Sequence, residues 1–351
     1  MDKRVCRVAI LGLDHWYSAQ LLLPALASEP RVVIAGIAHS DLARGRRVAS
    51  QVGVTLVVEE PAVLLDDETI DAVAIFTSTD RNPGLCIAAA QAGKHILSAK
   101  PMARTLNEAT KVLAAVRAAG VRLLPAEALS RWGPADFVRG WVSEGRLGDV
   151  VFARSSISAG LPQSWPDDTA PGWFVDPGRC AGGGWIDHAI YEIDRLRWVL
   201  GREVESVSGQ VATARHETLD VEDWGVALVR FEGGLLAELR ADWFMPTTAM
   251  FQSQWELAGA KGAVRVDDVA NRVSAANVPL GDAAFNEWRE LTIPTVDLGA
   301  SVAAHLADMV LGTAEPRATV EDAWRNLAVV AAFYEAACTG SPISVREVPT
   351  P

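Results

Sequence analysis

The sequence predicts an α/β protein that opens with a doubly wound parallel sheet and continues as an α+β domain with an open, mainly antiparallel sheet. Three observations indicate this. Short apolar runs alternate with helical patterns through the first 124 residues, as in a parallel sheet covered by helices on both faces. Glycine-rich hairpin signals follow at 232–234 and 259–262. A chain of 351 residues is also longer than one core normally supports.

The first 124 residues predict a Rossmann-like domain. Apolar runs ended by turn residues predict buried strands, and the longer segments between them have apolar residues on one helical face. The predicted strands are 7–13, 31–38, 54–58, 70–76, a lysine-bearing strand after Gly93, and 122–125. The predicted helices are 18–27, 42–52, 61–65, 83–92 and 106–119.

The composition changes near residue 125, so we assign 125–351 to a second domain for substrate binding and oligomerisation. Its elements are a strand at 150–158, a helix opened by a glycine run at 182–200, strands at 204–214, 225–231 and 235–243, and closing helices at 301–311 and 320–339. Hairpins that follow a helix imply an antiparallel sheet. The last helix can pack back on the first domain.

Composition excludes several classes of function. A formal net charge of −12 argues against general nucleic-acid binding, which requires clustered basic residues. No apolar run reaches the roughly 20 residues of a membrane helix, and the N-terminus lacks a secretory signal pattern. The four cysteines are far apart in sequence, without a C-x-x-C pair. We therefore expect a cytoplasmic protein with a small-molecule partner.

The stretch from Gly93 to Pro101 predicts a functional site. It indicates a turn, a short apolar strand and then Lys100 at the strand's end. Ligands of open parallel sheets bind outside the carboxyl ends of the strands, so Lys100 is placed toward a ligand. Pro101 restricts the lysine to extended backbone, which gives its side chain a defined direction. A surface lysine on a loop is the alternative.

Several motifs in this order resemble the Gfo/Idh/MocA oxidoreductase family along essentially the whole chain. These motifs are RVAILG at 7–12, IDAV at 70–73, AQAGKHILSAKP at 90–101, GGGWID at 182–187, YEID at 191–194 and WVLG at 198–201. The resemblance implies an N-terminal dinucleotide-binding domain and hydride transfer between NAD(P) and a carbinol of a sugar, inositol or related polyol. It also implies a homodimer or homotetramer.

The resemblance implies catalytic roles for Lys100, Asp187 and Tyr191, with tyrosine where the family more often has histidine. A Lys100 ammonium near Tyr191 would stabilise its phenolate as a base, and Asp187, one helical turn earlier, would orient either group. The alternatives are a packed aromatic and a carboxylate favoured by the helix dipole. The predicted substrate-binding residues are Lys100, Trp165, Trp173, Arg179, Asp187 and His188.

The phosphate-binding turn departs from the G-x-G-x-x-G pattern. Only Gly12 remains, since Asp14 and Tyr17 replace the other small residues. His39 and Ser40 stand where an acidic residue would bind the adenosine ribose, and arginines follow, which favours NADP over NAD. The predicted cofactor-binding residues are Gly12, Asp14, His15, His39, Ser40, Arg44, Thr77, Lys100 and Pro101.

These departures leave two classes of function open. The chain is either an NAD(P)-dependent oxidoreductase, or a family member without redox function that acts as a sugar-binding or regulatory protein or as a non-redox lyase. We predict no metal, because no H-x-H or H-E-x-x-H spacing is present. A metal-dependent lyase would recruit Asp14, His15, Glu127, Asp187 or His188. An Asp14 side chain turned away from the mouth of the turn would favour the oxidoreductase.

Overall fold

A computed structural model describes residues 5–166, 168–277 and 287–350, which form two sheets. One sheet has six parallel strands, and the other has nine strands that are antiparallel except for one pair. The predicted fold class is therefore confirmed. Within the described ranges, no helix combines the length and apolar character needed to cross a bilayer.

The six-stranded sheet contains the first strands of the chain in the order β3-β2-β1-β4-β5-β6. Its strands are β1 (Cys6–Leu11), β2 (Val32–Ala38), β3 (Val57–Val58), β4 (Ala72–Ile75), β5 (His95–Ser98) and β6 (Leu123–Pro125). The helices between them are α1 (Trp16–Ser28), α2 (Leu42–Gln51), α3 (Ala62–Leu65), α4 (Asn82–Gln91) and α5 (Leu106–Ala119). The chain reverses direction across the sheet between β1 and β4, and ligands bind beside such a switch point.

The second sheet has the order β14-β13-β12-β11-β7-β10-β9-β8-β15. Its strands are β7 (Val150–Gly160), β8 (Val204–Ala212), β9 (Trp224–Phe231), β10 (Leu236–Met245), β11 (Phe251–Gly259), β12 (Ala263–Asp267), β13 (Arg272–Ala276), β14 (Arg289–Leu291) and β15 (Ile343–Ser344). The β9–β10 and β11–β12 hairpins confirm the two glycine signals. Between β7 and β10 the pairing is parallel.

The remaining helices join the two sheets. They are α6 (Pro134–Ser143), α7 (Gly184–Leu200), α8 (Leu298–Leu311) and α9 (Val320–Thr339), together with a 3₁₀ helix at Ala126–Arg131. The Arg131 guanidinium donates two hydrogen bonds of 2.6 Å to the Asp194 carboxylate on α7, and Asn326 of α9 donates to the same group at 3.0 Å. These buried hydrogen bonds connect the 3₁₀ helix to α7 and α9.

The C-terminal helix also contacts the first sheet's helical layer. Trp324 of α9 donates to Thr110 of α5 at 2.9 Å, and Glu321 pairs with Arg117 at 2.8 Å. The observed bounds of α9 confirm the helix predicted over 320–339. Sequence reasoning did not predict α6 or the strands β13, β14 and β15, and it made β3 too long.

The glycine run before α7 allows a close backbone approach. A Cβ atom on Gly183 would lie 1.9 Å from the carbonyl oxygen of Glu222, and one on Gly184 would lie 2.3 Å from that of Asp223. The backbone N–H of Gly184 donates to the Glu222 carbonyl at 2.8 Å, so α7 begins directly against this segment. Glycine is needed here for space, and the contact fixes where α7 starts.

We expect Gly183→Ala to destabilise the protein by about 1–3 kcal/mol, because the backbone must shift to accept the methyl group. Gly84→Ala on α4, where a Cβ would meet open space, is the matched control and should be neutral or slightly stabilising. Urea unfolding of both variants measures the effect. Equal stabilities of the two variants would contradict the packing argument.

Candidate active site

A cavity of about 610 Å³ lies between the two sheets. Helix α1 and the segment 129–134 form one wall, α7 forms another, and β7 and β11 contribute Ile157, Ala159, Phe251 and Ser253. Lys100 reaches this cavity from beyond the carboxyl end of β5. The polar lining residues on α7 are Asp187, His188, Tyr191, Glu192 and Arg195. Such a volume suits a small organic ligand.

A buried ion pair lies where the cavity meets the edge of the parallel sheet. The Lys100 ammonium donates to Asp187 Oδ1 at 2.5 Å and also to the Asp187 carbonyl oxygen. Trp243 Nε1 donates to the other carboxylate oxygen at 2.9 Å. Burial raises the pKa of Asp187, but the Lys100 charge and the hydrogen bonds from Lys100 and Trp243 together outweigh this effect, and the pKa falls well below its usual value.

Tyr191 stands one turn from Asp187 and lines the same cavity. The Lys100 ammonium lies 5.1 Å from the centre of the Tyr191 ring, over its face. Burial, followed by the charges of Asp187 and Glu127, raises the pKa of Tyr191 above its ordinary value. The raised pKa keeps the hydroxyl protonated at neutral pH, which disfavours the phenolate that the sequence suggested.

Two histidines complete this end of the cavity. Burial and the Lys100 charge lower the pKa of His15 to about 3, and burial lowers that of His188 to about 4 although Asp187 opposes it. His188 Nδ1 lies 3.3 Å from Asp187 Oδ2 without making a hydrogen bond. His15 caps α1, where its Nδ1 accepts from the Ser18 N–H. Both rings are neutral near pH 7.

The predicted cofactor-binding residues lie at the carboxyl edge of the parallel sheet. Gly12 follows β1 with φ +79°, and a Cβ there would lie 2.2 Å from Thr77 Cγ2. His39 follows β2, Thr77 follows β4, and the cis Lys100–Pro101 bond follows β5. Ser40 is exposed beside them. The predicted residues therefore share one edge.

Unpartnered polar atoms test whether this edge fits a dinucleotide. Both ring nitrogens of His39, the hydroxyl of Thr77 and Nε2 of His15 are buried without a hydrogen-bond partner among the described residues. Buried polar groups are normally paired, so these atoms are available to a ligand with many donors and acceptors. The ribose and phosphate groups of a dinucleotide have that chemistry. The residues of this edge fit the group.

Asp14 is the feature that opposes a bound pyrophosphate. Its side chain does not turn away from the edge: it lies 3.5 Å from Arg81 Nη1 and close enough to His39 to affect the pKa of that ring. Arg81 follows β4, so the carboxylate lies across the switch point with its charge compensated. An anion at this turn would compete with Asp14 for Arg81.

The predicted substrate residues Trp165, Trp173 and Arg179 lie elsewhere. They belong to residues 161–166 and 168–181, between β7 and α7. Trp165 is buried beneath the Arg44 guanidinium, 4.3 Å from its ring centre. Trp173 donates to the Asp14 carbonyl at 3.0 Å, and Arg179 donates to Ser78 at 2.9 Å. These three side chains cover the sheet edge instead of lining the cavity.

Sequence reasoning missed three polar residues at the far end of the cavity: Glu192, Arg195 and Asp268. The spacing of residues along α7 could have indicated that Glu192 and Arg195 lie on the same face as Asp187. Positions 187, 191 and 195 recur every four residues and share one face of α7 with 188 and 192. Among the described residues, no group of three or more histidine, cysteine or carboxylate side chains is arranged to hold a metal ion.

The depressed pKa of His15 predicts acid sensitivity. The unfolded chain protonates this ring near pH 6.5, whereas the folded protein does so only near pH 3. Its contribution to stability is complete above pH 6.5 and is lost as the pH falls toward 3. Between about pH 7 and pH 4.5, the free energy of unfolding measured with urea should therefore fall by about 2–3 kcal/mol less for His15→Gln than for the wild type. Identical losses would contradict this.

Two patterns of one family match the chain. The "Oxidoreductase family, NAD-binding Rossmann fold" matches residues 6–127, and the "GFO/IDH/MocA C-terminal domain" matches residues 136–265. Among curated proteins, 1,5-anhydro-D-fructose reductase of Ensifer adhaerens is 28% identical over 303 residues, which covers 86% of this chain and 88% of that protein.

A second curated relative is similar along its length. Inositol 2-dehydrogenase 2 of Saccharopolyspora erythraea is 25% identical over 358 residues, covering 100% of this chain and 97% of that protein. Among solved structures, the aldose-aldose oxidoreductase of Caulobacter crescentus, complexed with glycerol, has a TM-score of 0.84 at 22% identity and covers 97% of this chain and 100% of its own. That likeness supports the fold alone. The chain belongs to the Gfo/Idh/MocA family of NAD(P)-dependent oxidoreductases.

Proposed function

We propose that the protein transfers hydride between NAD(P) and a carbinol of a sugar, inositol or related polyol. The Lys100–Asp187 pair is the observation that supports this most. It lies where a cavity of small-molecule size meets the sheet edge at which dinucleotides bind. The two curated relatives described above are named for a sugar derivative and an inositol.

Lys100 is the residue that moves a proton. An ammonium has three donors. In the part of the chain that the structure describes, two of them bind Asp187, so one remains for a substrate oxygen in the cavity. As the ammonium, Lys100 Nζ can give a proton to a carbonyl oxygen during reduction, and as the neutral amine that this transfer leaves, it can receive one from a hydroxyl during oxidation. Asp187 holds the ammonium in place through both bonds.

Tyr191 and the two histidines orient the substrate. The protonated Tyr191 hydroxyl donates a hydrogen bond, and the neutral His188 ring can donate or accept one. His15 is buried against the stacked rings of Trp173 and Phe174, 5.6 Å from the centre of each, and closes the wall of the cavity nearest the sheet edge. These contacts exclude water around Lys100 Nζ.

The dinucleotide would be held by residues of the sheet edge. Gly12 allows the turn after β1, His39 and Thr77 offer their unpartnered polar atoms, and Arg44 lies on α2 close to the end of β2. When bound, the nicotinamide accepts or supplies the hydride. The Asp14 carboxylate and the Arg81 guanidinium determine the charge beside the turn after β1.

We also propose that the protein is a homo-oligomer that associates through the second sheet. Val151 and Phe152 of β7 and Leu228 of β9 are exposed apolar side chains on this sheet. Their contact with a second copy would bury apolar surface that is now in water.

Lys100→Met should lower kcat by about 10²–10⁴-fold, because the proton-transfer group is lost while a side chain of similar length remains. The rate is measured as the change in reduced nicotinamide absorbance with a panel of aldoses, inositols and their ketones. Lys111→Met on the exposed face of α5 is the control and should be fully active. Wild-type rates for Lys100→Met would contradict the role.

NADP should bind more tightly than NAD. No carboxylate directly follows β2, and Asp41 uses its side chain to cap α2 by accepting from the Arg44 N–H at 2.9 Å. Without a free carboxylate near the ribose, a 2′-phosphate meets less repulsion and has Arg44 close by. Calorimetric titration of NADP, NADPH, NAD and NADH compares the affinities. Equal or reversed affinities would contradict the preference.

The same titration decides between the oxidoreductase and a second candidate, a sugar-binding protein or non-redox lyase. Asp14 favours this alternative, because its carboxylate remains at the sheet edge where a pyrophosphate would bind. Binding of none of the four nucleotides would support the alternative. Asp14→Gly should then create measurable nucleotide affinity if the carboxylate alone prevents binding.

A further inference from the structure

The far end of the cavity contains a second polar cluster that the proposed reaction does not use. Glu192 and Arg195 lie on α7 beyond Tyr191, and Asp268 follows β12. Arg195 Nη1 lies 2.9 Å from Glu192 Oε2 and 2.9 Å from Asp268 Oδ2. Glu192 is 1% exposed and Arg195 5% exposed. Two buried charged side chains are thus held at one end of the cavity.

The cluster is fixed by its surroundings. Ser155 of β7 donates to Glu192, Ser253 of β11 donates to Asp268 at 2.6 Å, and Arg195 lies 5.2 Å from the centre of the Trp255 ring. These contacts anchor the charged groups to the second sheet. The cluster is therefore preorganised, which lowers the entropy lost when a ligand binds.

One donor and one acceptor of the cluster remain unpartnered. Arg195 Nε and Glu192 Oε1 are buried and have no hydrogen-bond partner among the described residues. Leaving such buried groups unpaired costs free energy, which hydrogen bonds from a ligand would recover. Hydroxyl groups can both donate and accept, so a pair of ligand hydroxyls complements this arrangement.

The charges around the cavity disfavour an anionic ligand. Its charged lining residues are Lys100, Arg195, Asp187, Glu192 and Asp268, while the His15 and His188 rings are neutral near pH 7. Burial raises the pKa of Glu192 to about 7, against the opposing effect of Arg195. Both cations already pair with carboxylates. A carboxylate or phosphate on the ligand would meet no free cation at the far end.

The spacing on α7 limits ligand length. Asp187 and Glu192 are five residues apart, which is about 8 Å along the helix axis. A small polyol can bind at the Lys100 end alone, whereas a ligand bound at both ends must extend across this interval. A six-membered ring that carries hydroxyls on opposite sides has the required reach.

We propose that Glu192 and Arg195 form a distal hydroxyl-binding subsite, and that the substrate is an uncharged polyhydroxylated ring that spans from Lys100 to this subsite. The inference rests on the proposed function for the Lys100 end. Ile157, Ala159 and Phe251 between the two ends offer apolar contacts to the ring's C–H groups. Substrates with a charged group at the far end are rejected.

Ligand-observed NMR titration tests the subsite without requiring turnover. The probes are myo-inositol, D-glucose, D-glucuronate and glycerol. Arg195→Lys keeps the positive charge but removes Nε, so it should weaken myo-inositol or D-glucose binding at least tenfold and leave glycerol unchanged. Arg197→Lys, on the same helix but bonded to Glu203 and Asn326 outside the cavity, is the matched control and should bind like the wild type.

Glu192→Gln provides a second measurement if Arg195→Lys does not fold. Glutamine keeps the shape and the bonds to Ser155 and Arg195 but removes a negative charge. It should raise the affinity for D-glucuronate relative to D-glucose at least fivefold, a change in selectivity that loosened packing would not produce. The inference is overturned if the folded variants keep wild-type affinities and selectivity, or if neither six-carbon neutral polyol binds the wild type.

These results separate the subsite from the proposed reaction. Turnover of a neutral polyol that Arg195→Lys leaves unchanged would overturn the subsite and keep the oxidoreductase. Polyol binding that depends on Arg195, without turnover with NAD or NADP, would support the subsite and contradict the oxidoreductase.

Discussion

The contact between Lys100 and Asp187 is the interaction on which the site depends. Both charges are largely removed from water, so each is stable as an ion only because the other lies beside it. Lys100 comes from the parallel sheet and Asp187 from the helix that covers the second sheet. The pair therefore requires the two sheets to dock in one arrangement, and it places the Lys100 charge beside the cavity.

Contacts at the start and in the middle of α7 fix the position of this helix, and with it the arrangement of the two sheets. The glycine run brings the backbone against Glu222 and Asp223, and the Arg131–Asp194–Asn326 network fixes the middle of the helix. Asp187 lies between these two constraints, so its position is set from both sides. The acidic turn at Asp14 is less constrained by the fold, since its charge is compensated by a partly exposed arginine.

The sequence predicted the fold class and the place of Lys100, because parallel strands and glycine-ended helices have strong local patterns. It could also predict that Gly12, His39 and Thr77 share one edge, since each follows a strand. It could not predict where Trp165 and Trp173 pack, because irregular segments have no periodicity that fixes a partner. The sequence could not predict the raised pKa of Tyr191 either, because this pKa depends on burial and on whether Lys100 faces the ring or the hydroxyl.

Helix α7 carries the polar residues of both ends of the cavity at intervals of four residues. A single residue inserted between Tyr191 and Arg195 would rotate everything after it by about 100°, and would move Arg195 out of the cavity while Asp187 stayed in place. Substitutions at 192 and 195, by contrast, leave that register intact. Relatives can therefore diverge in what they recognise through point changes on this helix, whereas insertions and deletions within it are incompatible with the site.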